Sequence, residues 1–282
     1  MKLQFLGTGA AEGAPAIFCK CATCQTLRER GEKEYHTRAQ FLIDDSVGIE
    51  FPPDAYYHAL RFNVDLTKMK HLLITHSHMD HFYAHDFILR GYKYTSESNL
   101  PLTIYGNAEV IKVFAECTRR EMKDCVVPNY TLVEVHPFVP FTAGDYMVTP
   151  LLAQHSKEEL AFVYLVEKGD KAYLHLTDTG RLPVETLDYL EKYFQTKTNK
   201  VDFVTFDCTF LRRTAGEVSR HMGLEDNKAM QTEFLRRNIT DGHTKYAITH
   251  YSHNGAPLKE NLQAWAKEYG YIPSFDGLCV EI

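Results

Sequence analysis

The stretch His71-Leu-Leu-Ile-Thr-His-Ser-His-Met-Asp-His81 contains the information that decides the fold. Its apolar half predicts a buried strand, and four potential metal ligands follow that strand within six residues. Imidazole nitrogen and carboxylate oxygen suit Zn(II), Mn(II) or Fe(II), and a loop that leaves a strand can turn its side chains toward different ions. A solvated polar turn with incidental histidines is the alternative, and four potential ligands at a strand end make it much less favoured. The loop predicts ligands for two ions: His76, His78, Asp80 and His81.

Three further His and Asp residues lie where predicted strands end. His155 follows the segment 146–151, Asp178 follows 172–177, and His250 ends the segment 245–249. Taken singly, His155 or Asp178 would be interpreted as an ordinary surface residue. Because they all follow strands, a site on one edge of a sandwich of sheets could collect them.

Composition and charge narrow the class of protein. The chain has 282 residues, of which 44% are hydrophobic and 24% charged, and no apolar run approaches the roughly 20 residues of a membrane span. A net charge of -6 argues against a protein that holds nucleic acid through its overall field. The N-terminus lacks the plan of a secretory signal, so a cytoplasmic location without membrane contact is expected. Seven cysteines in a reducing compartment make a disulfide framework unfavoured.

The periodicity of apolar residues predicts strands interleaved with helices in one domain, residues 1–282, because no linker, repeat or charge block divides the chain. Many strands with a moderate number of helices indicate two packed sheets covered on the outside by helices. The predicted strands are 3–6, 40–43, 71–75, 102–105, 131–135, 146–151, 162–167, 172–177, 201–206, 245–249 and 278–281, and the predicted helices are 53–62, 80–92, 108–123, 183–194, 224–237 and 258–269.

The motif His76-Ser-His-Met-Asp-His81 resembles that of the metallo-β-lactamase superfamily. The resemblance implies an α/β fold, the four-layer αββα sandwich, and extends from Phe5-Leu-Gly-Thr-Gly9 to Asp276-Gly277. It also implies a dinuclear centre in which Asp80 acts in catalysis as well as in binding. By this resemblance, one ion is held by His76, His78 and His155, the other by Asp80, His81 and His250, and Asp178 bridges them.

His221 opens a predicted helix about thirty residues before His250. In the phosphodiesterase branch of the superfamily, which includes ribonuclease Z and the cyclic phosphodiesterase of phosphonate degradation, a histidine at this place faces the phosphate. The resemblance implies that His221 donates a proton to the leaving alkoxide, an effect typically worth about 10²–10⁴ in rate. A capping or surface histidine is the alternative.

The segment Cys19-Lys-Cys-Ala-Thr-Cys24 offers three thiolates from one loop, and a tetrahedral structural zinc needs a fourth ligand. Three free thiols are the alternative. In the phosphonate-pathway phosphodiesterase, such a loop binds a separate zinc with a histidine just after the last active-site ligand, and His253 matches that position. The resemblance thus implies a structural zinc held by Cys19, Cys21, Cys24 and His253.

The predicted function is hydrolysis of a small phosphodiester, of cyclic ribose or nucleotide type, by a hydroxide that bridges two Zn, Mn or Fe ions. The resemblance leaves two alternatives: a tRNA 3′-processing nuclease like ribonuclease Z, and a non-hydrolytic relative like the protein of pyrroloquinoline quinone biosynthesis. Only 22 residues separate His155 from Asp178, with no basic arm to grasp tRNA, so a nucleic acid partner is disfavoured. A homodimer is compatible with the sequence.

Two further expectations concern the surroundings of the ligands. Asp44 and Asp207, both at strand ends, are candidates to support ligand histidines through hydrogen bonds. The segment from Asp45 to Asp54 replaces the shorter Asp-x-Gly turn of many relatives, so the local loop is expected to differ.

Overall fold

The computed structural model describes residues 1–96, 101–213, 215–216 and 218–282. Within these residues, two mixed sheets of seven strands pack face to face, and helices cover both outer surfaces. The prediction of a four-layer α/β sandwich is therefore confirmed.

The first sheet has the strand order β14-β1-β2-β3-β4-β5-β6. Neighbours from β14 to β3 run antiparallel, and those from β3 to β6 run parallel. Parallel strands deliver their carboxyl ends to the same edge, which is where the motif loop begins. The strands are β1 (Lys2–Gly7), β2 (Gln40–Ile43), β3 (Val47–Ile49), β4 (His71–Leu73), β5 (Leu102–Gly106), β6 (Tyr130–Glu134) and β14 (Cys279–Glu281).

The second sheet has the order β13-β12-β11-β10-β9-β8-β7. Strands β7 to β10 form an antiparallel meander, and β10 to β13 run parallel. The ends of β10, β11 and β12 therefore also meet at one edge. The strands are β7 (Phe141–Ala143), β8 (Tyr146–Leu152), β9 (Phe162–Lys168), β10 (Lys171–Leu176), β11 (Phe203–Asp207), β12 (Lys245–Thr249) and β13 (Ile272–Pro273).

The core between the sheets is made of large side chains from both inner faces. Phe5 and Phe41 of the first sheet pack edge to face with ring centroids 5.2 Å apart, and Tyr164, Tyr173 and Phe203 face them from the second sheet. All five side chains are almost completely buried. This interior layer fixes the distance between the two sheets, and hence between the loops that leave them.

Helices form the two outer layers. Leu72 and Ile104 of the first sheet pack with Val110 and Phe114 of α3, while a larger cluster joins the second sheet to α4, α5 and α6. Each helix buries one apolar stripe and exposes the opposite face, as a surface helix does. The helices are α1 (Ala22–Arg30), α2 (Ala55–Phe62), α3 (Ala108–Thr118), α4 (Val184–Gln195), α5 (Leu224–Arg236) and α6 (Lys259–Tyr269).

One predicted helix, 80–92, is wrong. Residue 82 instead forms an isolated β-bridge with Phe51, because the Phe51 N–H donates to the His81 carbonyl and the Tyr83 N–H donates to that of Phe51. This extended backbone leaves only a short 3₁₀ turn at Ala84–Leu89. The structure also adds β3, β7, β13 and α1, which the sequence did not predict, and ends α3 at Thr118.

No helix within the described part of the chain combines the length and apolar character that a membrane crossing requires.

Candidate metal centre

All seven predicted ligands come together at one edge of the sandwich, from loops that follow β4, β8, β10 and β12. Asp178 and His250 adopt left-handed backbone conformations, with φ of 56° and 62°. Such conformations cost free energy for residues other than glycine and are concentrated at functional sites. The side chains at both positions reach His81, which follows β4 of the opposite sheet.

The first group of ligand atoms contains His76, His78, His155 and Asp178. The Nδ1 atom of His78 lies 2.9 Å from His76 Nε2 and 3.3 Å from His155 Nε2. Ligand atoms about 2.0–2.1 Å from one tetrahedral ion are about 3.3 Å from each other, so these spacings fit a shared metal. His78 is exposed, whereas the other three residues are buried, so this group opens to solvent on the His78 side.

The second group contains Asp80, His81, Asp178 and His250. His81 Nε2 lies 3.1 Å from Asp80 Oδ2 and 2.9 Å from Asp178 Oδ2. The same Asp178 oxygen is 3.4 Å from His76 Nε2 of the first group, which is the position that a bridging carboxylate needs. His250 Nε2 is buried and has no hydrogen-bond partner among the described residues. Since an orphaned ring nitrogen is costly, a metal ion fits this donor set.

The charges of the ligands suit a cation. Burial and the neighbouring His81 hold the pKa of His76 well below its usual range, which leaves a neutral imidazole with a free lone pair. Burial would raise the pKa of Asp178, but His250, His221 and His81 outweigh it and keep the carboxylate ionised. Burial also opposes the charge on His81, whose pKa is nevertheless raised by Asp80 and Glu50. The carboxylates around His81 therefore favour a positive charge at this point of the site, which a metal ion can supply.

Two buried acids contact the Nδ1 atoms of two ligand histidines. Glu50 Oε1 lies 3.2 Å from His81 Nδ1 and accepts a 2.5 Å hydrogen bond from the Thr75 hydroxyl. Asp207 Oδ2 lies 3.3 Å from His250 Nδ1. Such partners fix the tautomer and orientation of a ligating ring. Glu50 follows β3 in the segment that departs from the Asp-x-Gly turn, so the altered loop supplies a support for His81.

The prediction for Asp207 agrees with this geometry, and the prediction for Asp44 is wrong. Asp44 instead accepts hydrogen bonds from the Lys2 N–H (2.7 Å), the Tyr146 hydroxyl (2.5 Å) and Lys168 Nζ (2.9 Å), which tie the two sheets together. The sequence places both aspartates at strand ends but does not show at which edge of its sheet each strand ends. In the structure, β2 and β11 end at different edges.

The loop that carries His76 and His78 is clamped by Glu159, which the sequence analysis missed. The Glu159 carboxylate accepts hydrogen bonds from the Ser77 backbone (3.0 Å), the Ser77 hydroxyl (2.8 Å) and Asn107 Nδ2 (2.7 Å). Asn107 also accepts from the Val110 N–H and so caps α3. Glu159 lies in the β8–β9 connection with His155, so one carboxylate links the two loops that supply the first group.

His221 lies beside both ligand groups. Its Nδ1 atom is 2.9 Å from Asp178 Oδ1 and 3.3 Å from Asp207 Oδ2, and its side chain is 24% exposed. Burial lowers the pKa of His221, but these two carboxylates outweigh it and raise the pKa to about 10. A divalent cation on Asp178 would offset part of that effect and bring the pKa down toward neutrality. His221 thus favours its protonated form, and its ring is partly exposed beside both ligand groups.

A separate group contains Cys19, Cys21, Cys24 and His253, whose ligand atoms lie within 4.8 Å of one another. Cys21 Sγ is 3.5 Å from His253 Nδ1. Hydrogen bonding by the Cys24 backbone and by His253 lowers the pKa of Cys21 to about 6, whereas burial raises that of Cys24 to about 11. One thiolate is therefore preformed at neutral pH, and the arrangement has the donor set of a Cys₃His zinc site.

Comparison with known proteins supports the fold-level interpretation. A sequence profile described as "Beta-lactamase superfamily domain" matches residues 39–236. An octanoyltransferase of Porphyromonas gingivalis is 27% identical over 198 residues, and a ribonuclease Z of Staphylococcus carnosus is 24% identical over 187 residues. The matches cover 68% and 66% of this chain but only 37% and 54% of those proteins. Neither name therefore transfers an activity.

Many solved structures match along almost the whole chain, including the following two. A diphosphatase of the PhnP family has a TM-score of 0.71 at 20% identity, with coverage of 99% of this chain and 96% of that one. Zinc-bound PqqB of Methylobacterium extorquens has a TM-score of 0.72 at 14% identity, with full coverage of both chains. At these identities the likeness establishes the fold alone.

Proposed function

Because the chain belongs to the β-lactamase superfamily, we propose that it is a metal-dependent phosphodiesterase that hydrolyses a small diester of cyclic ribose or nucleotide type. The observation that supports this most strongly is the place of His221. Its Nδ1 atom contacts Asp178, the residue shared by both ligand groups, and its ring is partly exposed. A cationic imidazole beside a dinuclear centre is the group that a departing alkoxide requires.

The seven His and Asp residues would hold two divalent ions, which would activate water and stabilise the charge that develops on phosphate oxygens. Zinc, manganese or iron would suit the nitrogen and carboxylate donors. The chain's own residues then bind the substrate and orient the attacking water. Asp80, only 6% exposed, presents an ionised carboxylate that can orient the attacking water, and the exposed His78 marks the side from which substrate enters.

His221 performs the proton transfer in this proposal. Asp178 and Asp207 hold its Nδ1 atom, which leaves Nε2 to donate to the leaving oxygen of a sugar. A sugar hydroxyl is a poor leaving group unless it is protonated as the P–O bond breaks. The contribution of such an acid is typically about 10²–10⁴ in rate.

A small substrate is favoured by what lies between His155 and Asp178. Strands β9 and β10 fill this interval as an antiparallel hairpin that turns at Gly169 and Asp170. The hairpin offers no extended arm to grasp a folded RNA. The net charge of -6 also opposes tight, nonspecific attraction to a polyanion.

We further propose a structural zinc at Cys19, Cys21, Cys24 and His253. Cys21 and Cys24 lie at the start of α1, and His253 lies three residues after His250. The ion would tie the N-terminal segment to the loop that ends β12. A closed Cys₃His shell has no position for substrate, so its role is stability.

A tRNA 3′-processing nuclease is the second candidate, because one relative is a ribonuclease Z and this function requires the same ligands. The absence of a long insertion between β9 and β10 ranks it lower. A non-hydrolytic role of the kind considered for PqqB-like proteins ranks lower again, because all of the predicted ligands converge here.

The test is a substrate panel with the purified protein after loading with zinc or manganese. It compares ribose 1,2-cyclic phosphate derivatives, 2′,3′-cyclic nucleotides, bis(p-nitrophenyl) phosphate and precursor tRNA. His221→Ala should lose turnover of the cyclic substrates while His136→Ala, at a 65% exposed histidine, serves as the control. If no small diester is hydrolysed, the proposal is wrong, and cleavage of precursor tRNA alone would favour the second candidate.

A further inference from the structure

His221 has no regular secondary structure of its own to hold it. It lies in the segment 208–223, which we call the His221 loop and which joins β11 to α5; Thr214 and Glu217 in this loop lie outside the described residues. Asp178 and Asp207 contact its ring, but the ring keeps its place only if the backbone of the loop is held as well. A misplacement of about 1 Å can cost about 10²-fold in rate, so the loop needs an anchor.

The buried carboxylate of Asp226 contacts both flanks of this loop. Its Oδ2 atom accepts hydrogen bonds from the Ala215 N–H (2.9 Å) before His221 and from the Gly223 N–H (3.1 Å) after it. Asp226 lies in the first turn of α5 and is completely buried. Helix capping explains the contact with Gly223. It does not explain the contact with Ala215, because residue 215 is not part of the helix.

The other oxygen of Asp226 reaches the loop that carries Asp178. Its Oδ1 atom lies 3.1 Å from Nε and 3.0 Å from Nη2 of Arg181, three residues after Asp178. The two loops are also in direct backbone contact: a Cβ atom at Gly180 would lie 1.8 Å from the Ser219 carbonyl oxygen. One carboxylate thus ties the loop of the proton donor to the loop of the shared metal ligand.

From these contacts we propose that Asp226 is the positioning residue that holds His221 against Asp178. The inference rests on the proposed phosphodiesterase function for its kinetic consequence, but the anchoring itself is a property of the fold. Removal of the carboxylate should free the His221 loop from the Asp178 loop and leave both ligand groups in place, because Asp226 contacts none of their side chains in the described structure.

The first variant for the test is Asp226→Asn, which keeps the volume but turns one of the two accepting oxygens into a donor. Arg181→Lys, at a partly exposed side chain, keeps the charge and removes the two-nitrogen contact, so it serves if the first variant folds poorly. Asp65→Asn is the matched control, because Asp65 accepts hydrogen bonds from Thr67 in an exposed turn. Metal content by elemental analysis should be the same in all variants.

The kinetic measurement uses two substrates of different leaving group. A 2′,3′-cyclic nucleotide releases an alkoxide that needs a proton, whereas bis(p-nitrophenyl) phosphate releases a stabilised phenolate. For each protein, kcat/KM for the cyclic nucleotide is divided by kcat/KM for bis(p-nitrophenyl) phosphate. In Asp226→Asn we expect this ratio to fall at least about tenfold. In the double variant with His221→Ala, this ratio should be no lower than in His221→Ala alone, because both changes remove the same proton transfer. Equal losses on both substrates, or losses that multiply, would overturn the proposal.

The second measurement is amide hydrogen exchange of the peptide that contains His221, which does not depend on any activity. Exchange should be at least about tenfold faster in Asp226→Asn than in the native protein and unchanged in Asp65→Asn. Unchanged exchange in Asp226→Asn would overturn the anchoring. If the native protein hydrolyses neither diester, the proposed function fails, and hydrogen exchange alone decides whether Asp226 holds the loop.

Discussion

Removal of the Glu159 carboxylate should weaken one metal site and spare the other. Glu159 joins the His155 loop to Ser77, which lies between His76 and His78. These three histidines belong to the first ligand group only. Glu159→Ala therefore separates the two loops of one ion, while Asp80, His81 and His250 keep their own contacts.

The magnitude follows from the hydrogen bonds that are lost. The carboxylate accepts three, from the Ser77 backbone, the Ser77 hydroxyl and Asn107, and each is worth about 1 kcal/mol net. Their sum of about 3 kcal/mol is an upper limit, because these groups are only partly buried and can bind water in the variant. A residual of about 1.4–2.8 kcal/mol corresponds to about 10–100-fold in the dissociation constant of the first ion, the usual range for partners of metal ligands.

The assay titrates zinc, in competition with a chromophoric chelator, into protein whose Cys₃His site is already filled and whose seven His and Asp ligands have been depleted of metal, so that the two constants belong to the proposed pair. Glu158→Gln is the matched control, because Glu158 is the neighbouring residue and its side chain is exposed. Unfolding of the metal-free proteins shows whether stability differs. Equal loss of affinity at both ions, or the same loss in Glu158→Gln, would refute the reasoning, and so would unchanged affinity for the first ion.

Three other outcomes are expected. His221→Ala should retain all its metal by elemental analysis while turnover of a cyclic diester falls at least about tenfold to a hundredfold, and metal loss would instead make His221 a ligand. Cys21→Ala should lose one zinc per chain and unfold at a lower temperature with the dinuclear pair intact, whereas two metals in the native protein would exclude the third site. Burial opposes ionisation of Asp44, but hydrogen bonds from Tyr146, Lys2 and Lys168 lower its pKa to about 2. Because this pKa is depressed on folding, Asp44→Asn should cost at most about 1 kcal/mol of unfolding free energy near pH 7, and that difference should vanish as the pH falls from about 4 to about 2 in urea titrations.

The ligands of the motif could be predicted because their chemistry is local in sequence. His76, His78, Asp80 and His81 lie within one loop, so their spacing alone indicates a metal site. The more distant ligands followed from resemblance and from strand ends. The structure collects them at one edge because parallel strands β10 to β12 end there.

Apart from Asp207, the supporting residues could not be predicted from sequence. Glu50, Glu159 and Asp226 are single acids in loops or at a helix start, and their roles depend on which backbone groups approach them in the folded chain. Strands of two or three residues, such as β3, β7 and β13, are too short to show a periodicity. The false helix at 80–92 shows a related limit, since pairing with Phe51 overrides local propensity.

The position of Asp178, which is common to both ligand groups, has a consequence for the order of folding. Its Oδ2 atom contacts His76 and His81, about a hundred residues earlier and in the other half of the sandwich. Neither ion can reach its full affinity until the two sheets have docked, so metal should bind the native state almost exclusively. By mass action, ions at a hundred times their dissociation constant then add about 2.7 kcal/mol each to the free energy of unfolding. When metal is scarce, more of the chain should be unfolded and degraded. The amount of this protein in a cell should therefore fall with metal supply, in addition to any direct loss of turnover.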